Sequence, residues 1–227
     1  MKKTIKVVLA VIGLAGSLDH VNAQNAQMTI YDGVNPLMTI FDNGAGDILG
    51  LYGGIYVSTN VGVWNLTISS AITKPLFGSS TAPVMDINVQ ASSTAAGTLT
   101  YSFSDNNFTP ANNPGVVNAT LSGGLTYGSA TAQYRVYGDP ANLVGATTVP
   151  LVNIGPNPLS TLQSSTGGFS LPQPFSFTQV VTLTAAQASN FSIDASFNVI
   201  AVPEPSSLVL AGLGGAAMLT LFRRRNN

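Results

Sequence analysis

The chain has 227 residues, a formal net charge of −1 and only 7% charged residues, with no cysteine and one histidine, His20. Typical soluble domains carry about 25% charged residues. Here 22 serines, 22 threonines and 19 asparagines supply the polarity instead. Disulfide frameworks, Cys/His zinc sites and histidine-based triads are therefore excluded from everything beyond the first twenty residues or so. Residues 24–202 hold two cations, Lys74 and Arg135, against seven aspartates, a net charge of −5. Phosphate backbones are bound chiefly by lysine and arginine, so nucleic-acid binding is excluded.

In chain order, residues 1–23 read as a secretory signal peptide. Lys2, Lys3 and Lys6 form a basic start, residues 7–18 form an apolar run, and Val21-Asn22-Ala23 has the small residues of a cleavage site. Cleavage is expected after Ala23, with Ala26 as second choice. A permanent membrane span needs about 17–25 apolar residues, and this run of 12 is too short.

Residues 24–201 read as one β domain of short apolar/polar alternations punctuated by Gly, Pro, Asn and Asp. Met28-Thr29-Ile30-Tyr31-Asp32 recurs as Met38-Thr39-Ile40-Phe41-Asp42, with Gly33-Val34-Asn35-Pro36 as turn residues between. That predicts a hairpin or two successive similar strands. Trp64, Leu66 and Ile68 alternate with Asn65, Thr67 and Ser69; Met85, Ile87 and Val89 alternate with Asp86, Asn88 and Gln90. Leu99, Tyr101 and Phe103 follow, then Val117, Ala119 and Leu121, and Phe191, Ile193, Ala195, Phe197 and Val199 close the domain against Ser192, Asp194, Ser196 and Asn198. Each strand has one apolar and one hydroxyl/amide face, as antiparallel sheets with a wet side require. Two such sheets bury both apolar faces, which predicts an all-β fold: an antiparallel, jelly-roll-like β-sandwich of about 8–11 strands. Residues 150–174, with Pro150, Pro156, Pro158, Pro172 and Pro174, read as a long irregular loop. No stretch of this region has convincing helical periodicity.

At the C-terminus, residues 202–227 form a separate segment. Pro203-Glu204-Pro205 comes first, and its prolines keep Glu204 extended and accessible. Residues 208–222 carry no charge and read as one hydrophobic helix, 15 residues or about 23 Å long, just able to span a thinned bilayer. Arg223-Arg224-Arg225 follows directly and belongs on the cytoplasmic side, holding the β domain on the far side of the membrane.

This order of Pro-Glu-Pro, apolar helix and terminal arginine cluster resembles the PEP-CTERM sorting signal of exported bacterial proteins. The resemblance covers the last 26 residues or so. It implies an exosortase partner in the inner membrane that recognises Pro203, Glu204 and Pro205 and removes the tail. It further implies a destination at the cell surface or in the extracellular matrix, with an association to exopolysaccharide and biofilm. The same tail is also called an ice-binding protein C-terminal domain, a label that describes the tail alone. A plain tail anchor is the simpler alternative.

The β domain offers few reactive constellations. Its aspartates fall in predicted turns or on wet faces, where Asp commonly bonds its own backbone, so a two-carboxylate hydrolase is a minor alternative. Ser70 and Lys74 are four residues apart, not the three of a Ser-x-x-Lys nucleophile. Asp42-Asn43-Gly44-Ala45-Gly46-Asp47 holds weak calcium candidates in Asp42 and Asp47, but Asn-Gly is an ordinary turn. A glycan face is the sharpest alternative: Tyr127, Gln133, Arg135 and Tyr137 alternate outward along one predicted strand and combine apolar platforms with hydrogen-bond donors. The expectation is a non-enzymatic exported protein without a cofactor. Its rivals are a lectin-like glycan-binding module and a secreted polysaccharide hydrolase.

Overall fold

A computed structural model describes residues 26–160 and 162–201. The signal peptide with its cleavage after Ala23, the Pro203-Glu204-Pro205 motif, the apolar tail and Arg223-Arg224-Arg225 lie outside the described residues.

The described residues form twelve strands: β1 (Gln27–Tyr31), β2 (Met38–Phe41), β3 (Gly54–Val61), β4 (Trp64–Ile72), β5 (Val84–Ser93), β6 (Gly97–Phe108), β7 (Gly115–Tyr127), β8 (Ala130–Asp139), β9 (Val149–Pro158), β10 (Gln163–Phe169), β11 (Phe175–Ala185) and β12 (Ser189–Ala201). They build two six-stranded antiparallel sheets. The first runs β2-β1-β6-β11-β8-β9 and the second β10-β7-β12-β5-β4-β3. From β5 to β8, and again from β10 to β12, successive strands alternate between the sheets. The repeat near the start is a hairpin as expected, with Met28 registered on Ile40 and Ile30 on Met38.

The strand count exceeds the expected eleven because residues 150–174 are not one loop: they hold β9 and β10. Proline disqualifies a central strand, but β9 lies at the edge of the first sheet, where a missing N–H removes no ladder bond on the open side. β10 is the matching edge of the second sheet. There Gly167 lets backbone meet backbone, since a side-chain carbon at this position would collide with the Leu151 carbonyl.

The predicted inward residues fill the space between the sheets. Met28, Leu99, Tyr101, Phe103, Ala132, Tyr134 and Val136 from the first meet Met85, Ile87, Val89, Val117, Ala119, Ile193 and Ala195 from the second, all buried. Phe177 lies at one end of this core, with ring centroids of Phe108, Phe169, Phe175 and Phe197 at 5.3, 5.8, 5.0 and 5.0 Å. One alternation departs from expectation. A bulge between Leu66 and Ile68 shifts the register of β4 on β5, so Ser69 and Ala71 are buried instead of Ser69 facing water.

Candidate functional site

The four residues expected to share one glycan face are divided between the sheets. Tyr127 ends β7 in the second sheet and is 65% exposed. Gln133, Arg135 and Tyr137 lie on β8 in the first sheet. Between them the chain crosses over at Gly128, whose φ of +90° suits glycine. On β8 two side chains are already engaged. Gln133 Nε2 and Arg135 Nε both donate to Asn153 Oδ1 on β9, at 3.0 and 3.3 Å.

Part of this outer face is also covered. Residues 140–148 fold over it: Gly145 N donates to Ser104 Oγ at 2.9 Å, and Ser176 Oγ donates to the Leu143 carbonyl at 2.7 Å. Ser104, Ser176 and Thr178 are buried as a result.

Asp42 and Asp47 act as turn organisers. Asp42 accepts from Gly53 N at 2.8 Å and Asn43 Nδ2 at 3.0 Å. Asp47 accepts from Asn43 N at 2.9 Å and from Leu49 N and Tyr56 N at 3.0 Å each. Every carboxylate oxygen of the two residues thus holds an N–H donor.

The outer face of the second sheet is different. Pairing aligns Tyr56 with Ser70, Ser70 with Asn88, Asn88 with Asp194 and Asp194 with Ser122, one polar row across β3, β4, β5, β12 and β7. At the usual strand spacing that row is about 19 Å long. The next row places Gln90 beside Ser192 and Ser192 beside Gly124. A carbon added at Gly124 would meet only Ser192 Oγ, at 3.8 Å, so its missing side chain leaves the floor open. The result is a shallow groove of about 320 Å³ lined by Asn88, Gln90, Ser122, Gly123, Ser192 and Asp194. At one end of this face stands Tyr127, registered on Asn190 and through it on Ser92.

Two features set this groove apart. No hydrogen bond ties the side chains of Asn88, Gln90, Ser122, Ser192 or Asp194 to another described residue, so their donors and acceptors remain available. Its charge is also purely negative. Asp86 is registered on Ser196 and Asp194 on Asn88, which makes the two carboxylates diagonal neighbours across β5 and β12. Partial burial, then the charge of Asp194, raise the Asp86 pKa to about 6. The sequence marks these residues as wet-face positions of two strands. Nothing local reveals that segments about a hundred residues apart lie side by side.

Residues 201–225 match the model of the PEP-CTERM protein-sorting motif. The PEP-CTERM signal indicates an exported protein, held by a C-terminal membrane anchor before processing by exosortase. The expected resemblance is therefore borne out over the segment that carried it. No curated protein matches the sequence. Among solved structures, the chain is similar to TmCBM61 in complex with β-1,4-galactotriose, at 8% identity and TM-score 0.31, over 61% of this chain and 88% of that one. It is also similar to a carbohydrate-binding module of the β-sandwich superfamily described for its promiscuous specificity, at 9% identity and TM-score 0.32, over 74% and 70%. The K1 cleaved adhesin domain of Lys-gingipain from Porphyromonas gingivalis W83 is similar at 12% identity and TM-score 0.29, over 66% and 99%. What defines the fold of this chain is its own strand pairing.

Proposed function

We propose that this is a non-enzymatic protein of the cell surface or extracellular matrix that holds neutral glycan chains on the open face of its second sheet. The observation that carries the reading is the row Tyr56–Ser70–Asn88–Asp194–Ser122, flanked by Gln90, Ser192 and Tyr127, with its amides and hydroxyls unengaged. Sugars offer hydroxyls that both donate and accept, and such a row answers with both kinds of group. Tyr56 and Tyr127 add apolar platforms with polar tips. The groove holds one carboxylate, Asp194, and no cation, so neutral polymers fit it and uronate-rich ones are repelled. Export through the PEP-CTERM route brings the face to exopolysaccharide, its natural partner, with the two sheets wired in jelly-roll fashion.

Hydrolysis is the second reading, favoured by one observation: Asp86, a carboxyl of raised pKa, stands beside a second carboxyl, Asp194. Glycosidase carboxylates flank the scissile bond from two sides. Asp86 and Asp194 project from one face of one sheet and meet a ligand from the same side, which favours binding. Affinity electrophoresis of the folded protein through gels containing neutral or uronate-rich polysaccharide tests the proposal. Retardation is expected with the neutral polymer, and the double variant Asn88→Ala, Gln90→Ala is expected to bind about tenfold more weakly, as loss of two hydrogen bonds implies. Migration unaffected by any polymer contradicts binding; release of reducing ends, lost in Asp86→Asn, establishes the hydrolase instead.

A further inference from the structure

Lys74 is the only lysine between residues 24 and 202, and it does not serve the surface. It follows β4 of the second sheet, whereas Asp105 lies in β6 of the first. Lys74 is 2% exposed and Asp105 0%. Lys74 Nζ is 2.5 Å from Asp105 Oδ2, donates to the Asn106 carbonyl at 2.6 Å, and stands 4.2 Å from the centre of the Phe108 ring. Asp105 Oδ2 accepts from Thr73 Oγ1 at 3.0 Å, and Oδ1 accepts from Asn106 N at 2.7 Å.

We propose that Lys74 and Asp105 form a covalent modification site, in which Nζ condenses with Cγ to an intramolecular isopeptide bond joining the two sheets. Nζ at 2.5 Å from Oδ2 is one bond removed from Cγ, and holding two reactants so close replaces a bimolecular encounter with a local step. One proton passes from the ammonium to Oδ2, which leaves a neutral amine and a carboxylic acid. The amine lone pair then forms the Nζ–Cγ bond. A second proton moves from nitrogen to Oδ2, the Cγ–Oδ2 bond breaks, and Oδ2 departs as water carrying both protons. One hydrogen stays on the amide nitrogen, and no oxidant, reductant or third reactant is consumed. The Asn106 N–H on Oδ1 stabilises the charge that builds there during attack, and the Thr73 hydroxyl holds the departing oxygen.

The surroundings favour the same outcome. Burial pushes the Lys74 amine down and the Asp105 carboxyl up, toward the neutral forms that condense. An ion pair between two sheets carries a desolvation penalty that an amide, being uncharged, does not. The benefit suits an exported chain, because a bond between sheets restricts its unfolding.

Peptide mapping of the full chain decides the matter. The protein is purified folded, held for several days, denatured, treated with an amine-reactive reagent and digested. The expected result is one branched product that joins the Lys74 and Asp105 peptides, one water lighter than their sum, with Lys74 unlabelled. In Lys74→Arg, which keeps the cation but lacks the nucleophile, the two peptides separate. Unlinked wild-type peptides with Lys74 labelled overturn the proposal, and so does a joined product that persists in Lys74→Arg.

Discussion

Asp194 stands diagonally from Asp86 across the β12–β5 ladder, where burial first, and then the Asp194 charge, lift the Asp86 pKa to about 6. The pair gives the open face of the second sheet both its negative sign and its pH response.

The sign of that response follows from linkage. The folded-state pKa of Asp86 lies above the ordinary aspartate value of 3.8, so between the two values the folded chain holds a proton that the unfolded chain has released. The stabilisation is complete below the unfolded value and is lost as pH rises through about 6. Asp86→Asn removes this dependence. Measured by urea denaturation, the variant is expected to gain about 2 kcal/mol on wild type between pH 4 and pH 7, after discounting for partial exposure. A constant difference across that range contradicts the coupling.

Phe177 joins four other aromatic rings where the two sheets close on each other. Phe177→Ala leaves a cavity bounded by rings that cannot all collapse inward, and is expected to lower stability by about 3–5 kcal/mol. Denaturant titration gives the value. At temperatures where the variant is folded, glycan affinity is expected to match wild type, because Phe177 lies inside the sandwich and away from the groove.

The tail makes a separate prediction. Glu204 stands between two prolines inside the segment that matches the sorting motif. Glu204→Ala is expected to accumulate in the inner-membrane fraction with its tail intact. Wild type is expected outside the cell, its intact mass lacking the residues beyond the motif. Equal partition of the two proteins contradicts recognition through Glu204.

How far the sequence could be read depended on whether the deciding contact was local. The β1–β2 hairpin was legible because its repeat and its turn residues lie within sixteen residues. Inward residues of β5, β6, β7 and β12 were legible because alternation alone decides a face. Ser69 reads as a wet-face residue in the sequence because a bulge changes the phase of alternation without altering any residue type. Pro150, Pro156 and Pro158 suggested a loop because the sequence does not state that their strand lies at a sheet edge. Tyr127 and Gln133 read as one strand in the sequence because the crossover at Gly128 is only two residues long and looks like a continuation of the same strand. The groove depended on β5 meeting β12 and β12 meeting β7, pairings of distant segments that no local pattern encodes.

The most direct test of the account is a map of backbone amide chemical shifts as a neutral polysaccharide from the producing cell is titrated into the folded protein. The account predicts shifts concentrated at Asn88, Gln90, Ser122, Ser192 and Asp194, with Gln133, Arg135 and Asn153 unmoved. Shifts confined to β8 and β9, or none at saturating polymer, contradict it.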